Sequence, residues 1–272
     1  MPATPPIRLV ATDMDGTLLA SGGILPEDNI RAIRAAQEKG VVVAIASGRF
    51  VENAYIVLQE HGLRCPIIGA NGAETVDENL RPLSEHFMDP AAARRVHDVL
   101  TAAEADYFIF ARRAVCTARQ SNPHHSELSD GEKITALGFT YLHGPQAAWE
   151  CCQKPVHKFF VCNNHVSLAM LREQLSQIPG VELTQSAETN IEIMPTGIDK
   201  GMGVKDLARS LGVPLAQVMT LGDQENDIPM LRVAGYGTAV ANASPSTKAA
   251  ARYITADHDA CGFARALEKY VL

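Results

Sequence analysis

What most restricts the fold of this chain is an alternation that begins near its first residues. Ile7 to Thr12 reads as a strand. Pro26 to Lys39 places Ile30 and Ile33 at helical spacing and stops at Gly40, a helix-ending signal. Val41 to Ala46 is a continuous apolar run, as expected of a strand covered on both faces. Val51 to His61 reads as a helix ending at Gly62, and Ile67 to Ala70 as a third strand. Such alternation specifies a parallel sheet wound with right-handed crossovers. The same grammar returns later, with a helix at Met202 to Leu211, a strand at Val218 to Leu221, a helix near Ile228 to Val233, a strand near Tyr236 to Val240 and a closing helix at Cys261 to Tyr270. Both ends are therefore expected to build one sheet. Between them, strand-like runs (Tyr107 to Ala111, Val156 to Cys162, Val181 to Thr184, Asn190 to Met194) mix with helices such as His165 to Gln177. The expected class is α/β: a Rossmann-like parallel-sheet core from residues 1–82 and 196–272, with an inserted α+β domain at 83–195. There is no internal repeat, and Ser121 to His125 reads as a polar loop.

A length of 272 residues suits two modest domains. Lys and Arg number 24 against 31 Asp and Glu, and 24 − 31 = −7, so no general cationic field exists to attract nucleic acid or an anionic membrane. With 46% hydrophobic and 20% charged residues, the chain can bury a sizeable core. Every apolar run is interrupted well before the roughly 18 residues a bilayer crossing needs. Met1 to Arg8 has two successive prolines and no basic lead into an apolar segment, so it does not read as a signal peptide, and a cytoplasmic location is expected. Six cysteines (Cys65, Cys116, Cys151, Cys152, Cys162, Cys261) lack CxxC spacing and read as reduced, mostly packed thiols.

Four segments carry chemistry. Asp13-Met14-Asp15-Gly16-Thr17 follows the first strand, where open α/β sheets place ligand loops. Two carboxylates two residues apart on extended chain point to one side and can hold a hard divalent cation while one attacks phosphorus and the other shuttles a proton. An EF-hand is excluded, because the glycine falls at loop position four and the twelfth position is Ile24; a capping turn stays open. Ser47-Gly48-Arg49 closes the second strand, where a hydroxyl and backbone N–H groups at a helix start form an anion site or a simple N-cap. Lys200 opens the helix after the insertion, placed either to neutralise phosphate and carboxylate or as solvated surface. Gly222-Asp223-Gln224-Glu225-Asn226-Asp227 puts a second acidic cluster, or another N-cap, at another strand's carboxyl end.

In order and context, these four segments resemble the haloacid dehalogenase superfamily of phosphohydrolases, and more narrowly its Cof-type branch with a large C2-type cap. The resemblance covers the whole chain. It implies that Asp13 is the nucleophile forming an aspartyl-phosphate, and that Asp15 is the acid/base that protonates the leaving oxygen and then activates water. Thr17, Ser47 and Lys200 would bind the transferring phosphoryl group, with Asn226 facing it. Mg²⁺ would be held by Asp13, the main-chain carbonyl of Asp15 and Asp223, with Asp227 in support. The implied activity is a phosphatase for a small phosphorylated metabolite such as a sugar or cofactor phosphate. A phosphotransferase or phosphomutase using the same nucleophile, and a non-catalytic binding module, are the alternatives. The protein would be a monomer or small homo-oligomer with no nucleic-acid or membrane partner.

Asn71-Gly72-Ala73 matches a further segment of that branch, lining the site floor or making a glycine turn. Residues Gly235 to Ala243 sit where the family more often has Met-Gly-Asn-Ala, so Val240 and Ala241 are departures that weaken a role for Asn242. Gly235-x-Gly237 is no dinucleotide fingerprint, and no phosphate-loop motif occurs. His124-His125 lacks a spaced third ligand and reads as polar loop. Linkers near Pro82 to Glu85 and Pro195 to Gly197 are expected hinges. In the strand Asn190 to Met194, Asn190 and Glu192 either face the substrate's leaving group or face solvent while Ile191 and Ile193 point inward.

Overall fold

The structure is a computed structural model and describes residues 6–117, 136–138, 140–162 and 166–272. Residues 1–5 of the amino-terminal segment, the Ser121 to His125 loop with His124-His125, and His165 lie outside the described residues. In chain order the elements are β1 (Leu9–Thr12), α1 (Glu27–Glu38), β2 (Val42–Ala46), α2 (Val51–Glu60), β3 (Ile67–Gly69), β4 (Glu74–Val76) and β5 (Pro82–Glu85). The middle of the chain follows with α3 (Pro90–Ala102), β6 (Tyr107–Ala111), β7 (Ala114–Thr117), β8 (Thr140–His143), α4 (Pro145–Cys152), β9 (Val156–Cys162), α5 (Leu168–Ser176), β10 (Val181–Thr184) and β11 (Asn190–Pro195). The remainder is α6 (Lys200–Ser210), β12 (Val218–Gly222), α7 (Ile228–Val233), β13 (Tyr236–Ala239), α8 (Pro245–Ala250), β14 (Tyr253–Ile254) and α9 (Gly262–Tyr270). The chain divides into two compact units, Met1–Ser84 with Asp199–Leu272, and Glu85–Ile198.

The eight-stranded sheet has the order β14-β13-β12-β1-β2-β3-β4-β5, parallel from β14 to β3, with β4 antiparallel to β3. Its central strands are apolar without alternation because each face has its own core. Val10, Val43, Ile45, Met219 and Leu221 pack with Ile33, Leu58, Phe263 and Leu267 of α1, α2 and α9. Leu9, Ala11, Ala44, Ala46 and Val218 pack with Val204, Leu207 and Met230 of α6 and α7. Burial on two sides is what a parallel sheet requires. Residues 70–72 pack closely against the start of α6. Ala70, Asn71 and Gly72 all take positive φ (47°, 54° and 91°), and a Cβ on Gly72 would lie 2.1 Å from the Asp199 carbonyl oxygen. Glycine at 72 is therefore what lets the start of α6 come down onto this turn.

The second unit holds a six-stranded sheet ordered β10-β11-β9-β6-β7-β8, antiparallel except for the parallel β7–β8 pair. One face carries Tyr107, Ile109, Phe159, Val161, Ile191 and Ile193 against Val96 and Leu100 of α3, Cys151 of α4, and Leu171 and Leu175 of α5. The helix expected from His165 begins at Leu168, where the Ser167 hydroxyl caps it. Pro82 to Glu85, read as a linker, is instead a strand of the first sheet, and Pro195 ends β11. All six cysteines are free, with Cys65, Cys116, Cys151 and Cys152 buried. No helix among the described residues is long and apolar enough to cross a membrane.

Gly72→Ala combines a strained backbone with a Cβ inside contact distance of the Asp199 carbonyl. It should destabilise the protein by about 2–5 kcal/mol. The urea midpoint measures this, and a shift worth less than about 0.5 kcal/mol would contradict the close approach.

Candidate active site

Three parallel strands end side by side. Thr12 of β1 is in register with Leu221 of β12 and Ile45 of β2, so Asp13, Asp223 and Ser47 leave the sheet at one edge. The Asp13 amide still donates to the Leu221 carbonyl at 2.9 Å, which holds the first residue of the loop in line with the strand. The carboxylates of Asp13, Asp223 and Asp227 offer oxygens that all lie within 4.8 Å of one another, and all three residues are buried.

Lys200 is the cation among them. Its ammonium donates to Asp13 Oδ1 and to Asp227 Oδ1, each at 2.6 Å, and it is fully buried. Asp199 caps α6 by accepting from the Met202 amide at 2.8 Å, which makes Lys200 the first helical residue. A helix amino terminus is an unfavourable place for a cation, so the two carboxylates must offset both that dipole and burial. They do. Burial alone pulls the lysine's pKa down, but Asp13 and Asp227 outweigh it and raise the pKa above its ordinary value.

The carboxylates feel the opposite balance. Burial pushes Asp13 well above the usual range, Lys200 opposes this, and the charges of Asp227, Asp223 and Asp15 add to the rise. Asp223 is pushed up to about 6, first by burial and then by Asp227, against the Thr17 hydroxyl, Lys200 and the Gln224 amide. With every side chain ionised, three carboxylates and one ammonium sum to −3 + 1 = −2. The donors are all carboxylate oxygens, which suits a hard divalent cation whose charge would bring that sum to zero.

Asp227 has a second task. Its Oδ2 accepts from the amides of Asp223 (2.8 Å) and Gln224 (3.0 Å), so both oxygens are engaged and the residue fixes the loop that presents Asp223. Thr17, expected at the phosphoryl group, donates its hydroxyl to Asp223 Oδ1 at 2.9 Å. Gly16 has φ 76°, and a Cβ there would stand 2.7 Å from Asp223 Oδ2, so only glycine lets the two loops meet. Ser47 is buried and its Oγ accepts from the Arg49 amide at 3.1 Å. Asn226 donates to Asn71 Oδ1 at 3.2 Å, joining the β12 loop to the turn after β3. Gly72 lies beneath the start of α6, as described above.

Asp15 stands apart from the buried cluster. Its side chain is 55% exposed and takes a two-pronged ion pair from Arg49, with Nε to Oδ2 at 2.8 Å and Nη2 to Oδ1 at 2.6 Å. Arg49 also donates to Asn53 Oδ1 at 2.8 Å, which fixes the guanidinium against α2. The sequence displayed Arg49 inside Ser-Gly-Arg but gave no sign of this pairing.

Asn190 and Glu192 lie in the second unit. Neither faces solvent, at 7% and 1% exposure. Asn190 exchanges hydrogen bonds with Ser186, its Oδ1 accepting from the amide and its Nδ2 donating to Oγ. Glu192 pairs with buried Lys158, whose ammonium also lies 4.7 Å from the Phe110 ring centroid and 5.6 Å from that of Phe160. The solvent alternative is thus corrected: both side chains are held by internal polar partners. Lys158 was missed, although a lysine inside Val156 to Cys162 was the visible signal.

Lys200→Met would leave the buried carboxylates without their cation, a loss of about 3–5 kcal/mol. The folded-state pKa of Asp13 is raised, so its ionisation opposes folding as pH rises through that value, and the penalty disappears once the group is protonated in both states. Urea unfolding in EDTA should therefore show a smaller loss at pH 5 than at pH 8. An equal loss at both would rule out charge compensation as the lysine's structural role.

The model of the haloacid dehalogenase-like hydrolases matches residues 10–267. The chain is 29% identical over 266 residues to 5-amino-6-(5-phospho-D-ribitylamino)uracil phosphatase YcsE of Bacillus subtilis, covering 98% of this chain and 96% of that protein. It is 29% identical over 253 residues to HMP-PP phosphatase of Klebsiella pneumoniae, covering 89% and 87%. A solved haloacid dehalogenase-like hydrolase from B. subtilis superposes with a TM-score of 0.84 at 26% identity over 98% of this chain and 100% of its own. The subclass IIB sugar phosphatase BT4131 gives a TM-score of 0.79 at 26% identity over 97% and 98%. The match spans every segment that meets at the edge of the parallel sheet, and the chain belongs to the haloacid dehalogenase-like hydrolases.

Proposed function

We propose that this hydrolase is a Mg²⁺-dependent phosphatase that releases phosphate from a small phosphorylated metabolite through an aspartyl-phosphate on Asp13. The observation that carries the reading is the buried cluster of Asp13, Asp223, Asp227 and Lys200, whose ionised form lacks two positive charges. Asp13, Asp223 and the carbonyl of Asp15 would hold the cation. When bound, it neutralises charge on carboxylate and phosphate, so that two anions can approach.

The side chains divide the remaining work. One Asp13 oxygen attacks phosphorus as the bond from phosphorus to the leaving oxygen breaks, while the other is positioned by Lys200. Lys200 cannot easily give up its proton and serves as a fixed positive charge beside the transferring group. Asp15 protonates the leaving oxygen, then takes a proton from the water that attacks phosphorus and frees Asp13. That role requires Asp15 to part from Arg49, and a guanidinium released from one carboxylate is well suited to an incoming phosphate. Thr17, Ser47 and Asn226 line the phosphoryl position. Selection among leaving groups falls to the inserted unit at 83–195. Relatives named for a phosphorylated ribitylaminouracil, for HMP-PP and for sugars support a phosphate ester of a small polyol or heterocycle.

The test is a panel of sugar phosphates and phosphorylated heterocycles, with phosphate release measured with Mg²⁺ and with EDTA. Activity should require the cation. Asp13→Asn should abolish turnover, and Asp15→Asn should slow it by about 10²–10⁴-fold. Turnover by Asp13→Asn would defeat the mechanism, and transfer to an added alcohol in place of water would make the enzyme a phosphotransferase.

A further inference from the structure

The loop that carries Asp13 and Asp15 runs on from β1, and side chains from three other parts of the chain grip it at three places. Asn242, just beyond β13, donates Nδ2 to the Gly16 carbonyl at 2.7 Å. Asn29, fully buried in α1, donates Nδ2 to the Leu18 carbonyl at 2.8 Å and accepts from the Ala264 amide at the start of α9. Asp259 accepts from the Ser21 amide and hydroxyl, each at 2.7 Å.

The innermost grip is at the chemistry. Asn242 is itself immobilised, since its Oδ1 accepts from the His258 amide at 3.0 Å, while the Ala241 amide donates to the Ala256 carbonyl. Each end of the side-chain amide thus has a backbone partner, which aims one Nδ2 N–H at Gly16. A peptide group is a rigid plane with C=O and N–H directed oppositely. Holding the Gly16 oxygen therefore fixes the direction of the Thr17 N–H and the placement of the Thr17 hydroxyl on Asp223. It also holds this side of Gly16 beside the Asp223 carboxylate, where a Cβ would stand 2.7 Å from Oδ2. The residue before this plane is Asp15.

We propose that Asn242 is a positioning residue for phosphoryl transfer: through the peptide between Gly16 and Thr17 it sets the geometry of the loop bearing Asp13 and Asp15 relative to Asp223. The proposal rests on the phosphatase reading for its kinetic consequence. The altered residues Val240 and Ala241 precede Asn242 without displacing it, so its departures from the family pattern leave this contact in place.

Asn242→Asp tests it, because the carboxylate keeps an acceptor for the His258 amide and loses the donor to Gly16. With p-nitrophenyl phosphate and saturating Mg²⁺, kcat should fall about 10- to 100-fold while KM stays within about threefold. Asn242→Ala should behave alike. Asp259→Asn, which loosens only the outer grip at Ser21, should leave kcat within about twofold. Amide exchange over residues 14–19 should quicken in both Asn242 variants. A kcat per folded molecule within about twofold of wild type in Asn242→Asp would overturn the proposal. So would a loss shared equally with Asp259→Asn and tracking the melting temperature, since that marks a structural tether. If the unaltered protein releases no phosphate from any panel member, the phosphatase reading has failed. Amide exchange then decides the positioning claim alone, and unchanged rates over residues 14–19 would refute it.

Discussion

The arrangement at the sheet edge depends on one buried cation. Lys200 touches both the residue that follows β1 and the residue that shapes the loop after β12. Removing an ammonium from water is costly, and an isolated carboxylate fares no better. The two tolerate burial because they share a hydrogen-bonded cluster. The cluster is incomplete, for one lysine cannot compensate three carboxylates, and burial first and the neighbouring carboxylates next hold Asp13 and Asp223 above the usual range. An excess of buried negative charge is poor for stability and good for capturing a hard cation. Stability elsewhere must cover that deficit, and the two apolar cores flanking the sheet are the source.

Much of this was legible in the sequence because it is local. Val42 to Ala46 is apolar throughout and Val218 to Gly222 is so apart from Thr220, since both sides of each strand are covered, and each is followed directly by a polar residue at its carboxyl end. Asp13, Ser47 and Asp223 follow three neighbouring parallel strands, so strand order brings those three together, while Lys200 arrives on the first turn of α6. Boundaries shifted by two or three residues where capping decided them, as at Ser167 and Asp199.

What was not legible was long-range and polar. The Asn242 contact spans 226 positions and the Arg49–Asp15 pair 34, and neither has a periodicity to betray it. Short strands such as β7 and β8 gave too few residues for a pattern, and Pro82 to Glu85 begins with a proline that suits a linker as well as an edge strand. Glu192 illustrates another limit. Alternation correctly placed Ile191 and Ile193 on the helix-covered face, yet the other face of the sheet is also buried and carries the Lys158–Glu192 pair among phenylalanine rings. Period-two reasoning assigns faces; it does not say which of them meets water.

The separation between Asp13 and Lys200, 187 positions, also dictates an order of events on the ribosome. At synthesis rates of about 5–20 residues per second, β1 and the Asp13 that follows it wait roughly 10–40 s before Lys200 has been made. During that interval β1 has β2 on one side and nothing on the other, because its remaining neighbour is β12. The inserted unit, whose core runs from Met88 to Ile193, is made in full before β12 (Val218–Gly222) follows. The nascent chain thus carries an open, apolar strand edge near its beginning until β12 arrives, the kind of edge that is exposed to wrong pairing.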